Sequence, residues 1–114
     1  MTARRVLATS AALVALGALA GATEAARAPK QVSVGDNFFD PATVVQRPGG
    51  KVRWTWTGTR RHDVFFYAAP DDAKPRKCSL RRGGACVRTF RKKGTYRYVC
   101  TRHGSMAGAV KVRP

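Results

Sequence analysis

Near the end of the chain a thiol, an imidazole and a thioether are spaced as Cys100-x2-His103-x2-Met106. Together they form three quarters of a mononuclear copper site, in which two imidazoles and a thiolate are joined by a weak axial thioether. A second imidazole must come from elsewhere, and the sequence has only one other histidine, His62. Singly these residues carry little weight. A lone histidine at a strand start is more often structural, a lone cysteine acts as a small buried hydrophobe, and a lone methionine is usually core. Their combination on one loop is what points to chemistry. Cu(I) favours sulfur and Cu(II) favours nitrogen, so a rigid mixed set serves both states nearly equally and little moves when an electron arrives.

Such a loop needs a stiff frame, and the flanking residues supply strands. Tyr96, Tyr98 and Cys100 alternate with Thr95, Arg97 and Val99, the period-two pattern of a half-buried strand; Val110 and Val112 alternate in the same way. Upstream, Lys30–Val34, Thr43–Arg47, Lys51–Thr57, His62–Tyr67 and Cys86–Phe90 read as further strands. Phe38-Phe39-Asp40-Pro41 reads as an apolar kink, and residues 68–86 as an irregular loop rich in Pro and basic residues. Val52, Trp54 and Trp56 share one face of their strand. No ten-residue stretch downstream of the leader shows helical periodicity, and there is no internal repeat. About six to eight short strands with Gly and Pro turns predict an all-β sandwich or barrel in one domain.

The beginning of the chain reads differently. Arg4 and Arg5 precede an uncharged apolar run, Val6 to Ala20, and small residues follow. This is the layout of a secretory signal peptide, expected over residues 1–28 with cleavage somewhere after Ala22 to Ala28. The run is too short and alanine-rich for a membrane span, which needs about twenty residues. Residues 29–114 are then the folded domain, exported to the periplasm or extracytoplasmic envelope. A domain of that size has only a marginal core and calls for a staple. Cys78 and Cys86, in an oxidising compartment, are expected to form a disulfide across Gly83 and Gly84. Cys100 is left over, and metal gives it a role.

Charge bounds the partners. The chain has 22 basic and 6 acidic residues, a net charge of +16. Without Arg4, Arg5 and Glu24 there remain 20 basic and 5 acidic residues, or +15, so the excess belongs to the domain. Export and the lack of any nucleic-acid-binding motif argue against nucleic acid. An acidic redox partner or an anionic envelope surface fits better. Arg60, Arg61 and Arg102 lie beside the two histidines and are the expected contact residues. A charge about 10 Å from the site, at an effective dielectric near 40, contributes roughly 0.8 kcal/mol, enough only for tuning.

The pieces Phe38-Phe39-Asp40-Pro41, Val52-Arg53-Trp54-Thr55-Trp56-Thr57, His62-Asp63-Val64 and Gly94 through Val110 resemble the type I blue-copper proteins of the plastocyanin/amicyanin-like cupredoxin family. The resemblance covers nearly all of the mature chain. It implies a Greek-key β-sandwich and one copper ion, cycling between Cu(I) and Cu(II), bound by His62, Cys100, His103 and Met106. The two-residue spacing before Met106 resembles the short amicyanin loop. Plastocyanin-type loops place methionine two positions later, where this chain has Gly108. The resemblance also implies that His103 is the electron exit, with Gly104, Ser105 and Ala107 small enough to leave it accessible. Asp63 stands where relatives often have a bracing asparagine, so Asp63 and Thr101 are expected to support the site from behind. The basic loop from Lys74 to Arg91 has no counterpart in the small photosynthetic members.

The reading is therefore an exported, monomeric one-electron carrier with no substrate-converting site. Copper sequestration or delivery would use the same donors, though the extra Met or His clusters of copper-handling proteins are absent. A closed zinc site formed by His62, Cys100 and His103 is the structural alternative. A copper enzyme would need further histidine-rich centres that two histidines cannot build. A thiol protease is a remote reading, because Cys100 and His103 on one tight loop leave no substrate cleft or oxyanion site.

Overall fold

The computed structural model describes residues 28–114. The expected leader therefore lies, except for its last residue, outside the described residues. Nine strands are present: β1 (Lys30–Gly35), β2 (Phe38–Asp40), β3 (Thr43–Gln46), β4 (Gly50–Trp56), β5 (His62–Ala68), β6 (Cys78–Arg81), β7 (Ala85–Phe90), β8 (Gly94–Cys100) and β9 (His103–Val112). One 3-10 turn, Pro70–Asp72, follows β5.

Two of these strands depart from the expectation of six to eight. The supposed kink at Phe38 is β2, which pairs antiparallel with β1. The supposed irregular loop contains β6, which pairs with the start of β5 through His62↔Arg81 and Val64↔Cys78. Both are short edge strands, with too few residues for alternation to show. The final strand also begins earlier than its Val110/Val112 pattern indicated, at His103 itself.

The strands form two sheets, ordered β2-β1-β4-β7 and β3-β9-β8-β5-β6. Most neighbours are antiparallel, but β1 runs parallel to β4 and β3 parallel to β9. The chain crosses repeatedly from one sheet to the other, giving the expected β-sandwich. Alternation places Val32, Val34, Val52, Trp54, Trp56, Val64, Phe66, Tyr96 and Tyr98 between the sheets, all buried. Trp54 lies edge-on to Phe66 and Tyr98, with centroids 5.9 and 5.4 Å away. Large apolar side chains of this kind each stabilise by about 1.5–3 kcal/mol on burial, and the edge-on pairs add to that.

Cys78 and Cys86 are joined, with Cα atoms 6.1 Å apart. The bond links β6, the edge of one sheet, to β7, the edge of the other. The hairpin between them is tied down further by two arginines. Arg81 stacks over Trp56 at 5.1 Å and donates to the Ala85 carbonyl at 2.7 Å. Arg88 donates to the carbonyls of Arg76 and Lys77 at 2.7 and 2.9 Å. Part of the basic excess of this segment is therefore structural.

Candidate metal centre

Four elements meet at one end of the sandwich: the β1–β2 turn, the β4–β5 loop, the start of β5, and the β8–β9 turn. His62 opens β5 and is fully buried. Its carbonyl accepts the indole N–H of Trp56 at 2.9 Å, which fixes the strand entry against β4. Its Nδ1 faces the Sγ of Cys100 at 3.8 Å. Cys100 closes β8, is buried, and is the free cysteine of the described residues. His103 opens β9 in register with Cys100. Its half-buried ring lies 5.0 Å, centroid to centroid, from that of His62. Met106 is buried one turn of the pleat further along β9 and belongs to the apolar core.

Among the described residues no three His, Cys, Asp or Glu side chains form a closed metal-holding group as they stand. The close pair is His62 with Cys100; His103 stands at the rim, and the Met106 thioether would bring a third kind of donor. That pair fits a shared ion. Metal–nitrogen and metal–sulfur bonds of about 2.0 and 2.3 Å at a roughly tetrahedral angle or somewhat wider place the two donor atoms about 3.5–4 Å apart, the observed range. A soft thiolate and thioether beside imidazole is a copper donor set.

The bracing residues are more extensive than expected. Asp63 is buried and accepts two hydrogen bonds from Thr101, one from its N–H and one from its hydroxyl, each 2.7 Å. The two positions anticipated as support thus hold each other, locking the turn after Cys100 to β5. A third residue, Asp36, was missed. It sits in the β1–β2 turn and its Oδ1 lies 3.1 Å from Nε2 of His62. Asp36 also accepts from the N–H and hydroxyl of Thr59, at 3.0 and 2.9 Å to Oδ2, and from the N–H of Arg60 at 2.9 Å. These donors, the Thr59 and Arg60 N–H groups first, hold its carboxyl well below the usual carboxylate range. Gly58 makes room for this contact, since a Cβ there would meet Asp36 Oδ1 at 2.3 Å.

Outside the histidines lies an open basic cavity of about 380 Å³ lined by Thr59, Arg60, Arg61, Arg82, Arg102 and His103. The three arginines expected near the site are therefore gathered around His103, and Arg82 joins them. All four are exposed. Sequence order hides Arg82, because only the β5–β6 pairing carries the disulfide hairpin to this end of the molecule.

Fold and donors together define a cupredoxin-like blue-copper protein. A family model for copper-binding proteins of the plastocyanin/azurin family matches residues 27–113, and the chain belongs to that family. Its cofactor is one copper ion, and it is a copper electron carrier. It is 32% identical over 105 residues to amicyanin-alpha of Methylorubrum extorquens, covering 91% of this chain and 88% of that protein. A reduced Cu(I) form of an amicyanin point mutant superposes with a TM-score of 0.66 at 27% identity, covering 75% of this chain and 82% of that one. A copper-containing nitrite reductase from Thermus scotoductus superposes with a TM-score of 0.68 at 24% identity. This chain covers 23% of that enzyme, a likeness of fold alone.

Proposed function

We propose that His62, Cys100, His103 and Met106 hold the copper and that the protein carries single electrons between exported redox partners. The observation that carries this reading is the buried His62 Nδ1 facing Cys100 Sγ at 3.8 Å, with His103 leading from that pair to the surface. When bound, copper supplies the Cu(I)/Cu(II) couple. The chain supplies the rest. β5 and β8 hold His62 and Cys100 in a rigid, dry frame, so few atoms need move with the charge. His103, flanked by exposed Gly104, Ser105 and Ala107, gives the edge through which an electron leaves. Arg60, Arg61, Arg82 and Arg102 ring that edge and orient an acidic partner or hold the protein at an anionic envelope surface. No helix among the described residues is long and apolar enough to cross a membrane. The basic, apolar start of the chain acts as the export leader. We read the protein as a carrier with no substrate-converting site.

The test is a visible spectrum of the purified protein after addition of Cu(II). The parent gives an intense blue thiolate-to-copper band and Cys100→Ser loses it. A Cys100→Ser protein that keeps the colour overturns the ligand assignment.

A further inference from the structure

We propose that Asp36 is the positioning residue of the metal centre: its carboxylate accepts the Nε2–H of His62 and so fixes the tautomer whose bare Nδ1 faces Cys100. This rests on the copper reading above for its effect on the metal, but not for its effect on His62.

The geometry leaves His62 two polar contacts. Nε2 meets Asp36 Oδ1 at 3.1 Å, and Nδ1 meets Cys100 Sγ at 3.8 Å. An imidazole that donates from one nitrogen presents a lone pair on the other, and a carboxylate can only accept when ionised. The proton of neutral His62 therefore sits on Nε2 and the metal-facing nitrogen is bare before metal arrives. A carboxylate behind a metal-bound imidazole also raises its basicity. That favours Cu(II) and opposes the four arginines on the far side of His103.

Asp36 is held in place for this task. Thr59 and Arg60 N–H groups grip its two oxygens, and the absence of a side chain at Gly58 lets it approach. A purely structural role, tying the β4–β5 loop to the β1–β2 turn, would use the same bonds, so the test must separate the two.

In the metal-free protein, nitrogen NMR reads the His62 tautomer directly. The parent shows Nε2–H, and Asp36→Ala shifts the ring towards Nδ1–H. In the copper-loaded protein, Asp36→Asn keeps an acceptor but removes the charge. It moves the ratio of Cu(I) to Cu(II) affinity about tenfold towards Cu(I), a rise of about 59 mV in potential. Cu(II) affinity falls about 10–100-fold. Asp36→Glu restores part of both. Thr59→Ala weakens the loop tie and lowers stability while leaving tautomer and potential in place. Nε2–H retained in Asp36→Ala overturns the proposal, as does a folded Asp36→Asn with the parent's potential. So does a Thr59→Ala potential displaced as far as that of Asp36→Asn. A parent that never turns blue defeats the ligand assignment instead, and the metal-free measurement still decides the role of Asp36.

Discussion

Asp63 on β5 holds Thr101, the residue directly after Cys100, through both carboxylate oxygens at 2.7 Å. The two residues expected to support the site from behind thus form the bracket between themselves. Because Asp63 is buried, its loss leaves the Thr101 N–H without a strong acceptor. Hydrogen bonds to charged groups contribute about 1.5–3 kcal/mol each. Asp63→Ala should lower stability by about 3 kcal/mol and Thr101→Val by about 1–2 kcal/mol, read from urea unfolding. Asp63→Asn should cost no more than about 1 kcal/mol, since its amide oxygen still accepts and the Thr101 hydroxyl can turn to accept in return.

Gly108 faces Tyr98 across the β8–β9 ladder. A Cβ there would lie 2.4 Å from the Tyr98 hydroxyl. Gly108→Ala should therefore destabilise by about 1–3 kcal/mol through overpacking. Gly108→Met, which imitates the longer plastocyanin-type spacing, should fail to replace Met106, the proposed donor, because position 108 faces Tyr98. A Gly108→Met, Met106→Ala double variant with the parent's visible spectrum would contradict this.

Alkaline pH should destabilise the fold through the buried tyrosine Tyr98. Burial pushes the Tyr98 hydroxyl up to about 12, tempered by the nearby Trp54 indole. Neither Tyr98 Oη nor Trp54 Nε1 has a partner within hydrogen-bond geometry, so the Tyr98 hydroxyl is buried without a hydrogen bond. The unfolded chain loses this proton near pH 10 and the folded chain later, so stability is intact below about 10 and falls as pH rises to about 12. Two pKa units correspond to about 2.7 kcal/mol. Tyr98→Phe should flatten that limb in a pH series of unfolding curves.

Reduction of the Cys78–Cys86 bond should cost about 2.5 kcal/mol, the chain entropy of so short a closed loop. Thermal unfolding with and without reductant measures it, and Cys78→Ser with Cys86→Ser should reproduce the reduced value. The oxidised, copper-loaded Cys78→Ser, Cys86→Ser variant should keep the blue band, because Cys100 lies outside the bridge.

The arginine ring should discriminate by the sign of the reactant. Arg82→Glu should slow reduction by ferrocyanide and speed oxidation by a cationic cobalt complex. Both effects should shrink as salt rises past about 0.15 M, where the Debye length is near 8 Å. Equal rates in parent and variant with both reagents would show that Arg82 does not contribute to the field at His103.

Much of this was legible without coordinates. The proposed donors sit within one loop and one strand start, and alternation in β4, β8 and β9 shows which faces are buried. Local patterning carries such features because a strand's faces are set by its own residues. Asp36 and Arg82 were hidden for the opposite reason. Asp36 meets partners 23 to 26 residues away only because β1 runs parallel to β4, bringing the turn after Val34 beside the loop after Trp56. Nothing in Gly35-Asp36-Asn37 distinguishes that carboxylate from any turn aspartate. Arg82 sits in a run of basic residues that look alike until Arg81 and Arg88 are seen to be spent on carbonyls and Trp56.

The parallel pairing of β3 with β9 ties one edge of the sheet to the strand that carries His103 and Met106. Val44 must wait for Val110, and Gln46 for Val112, before that edge of the sheet exists. The same late strand brings His103 and Met106. A chain cut before β9 can therefore neither close the sandwich nor bring His103 and Met106 to the proposed site. Closure of that sheet edge and the arrival of His103 and Met106 beside Cys100 thus depend on one and the same strand.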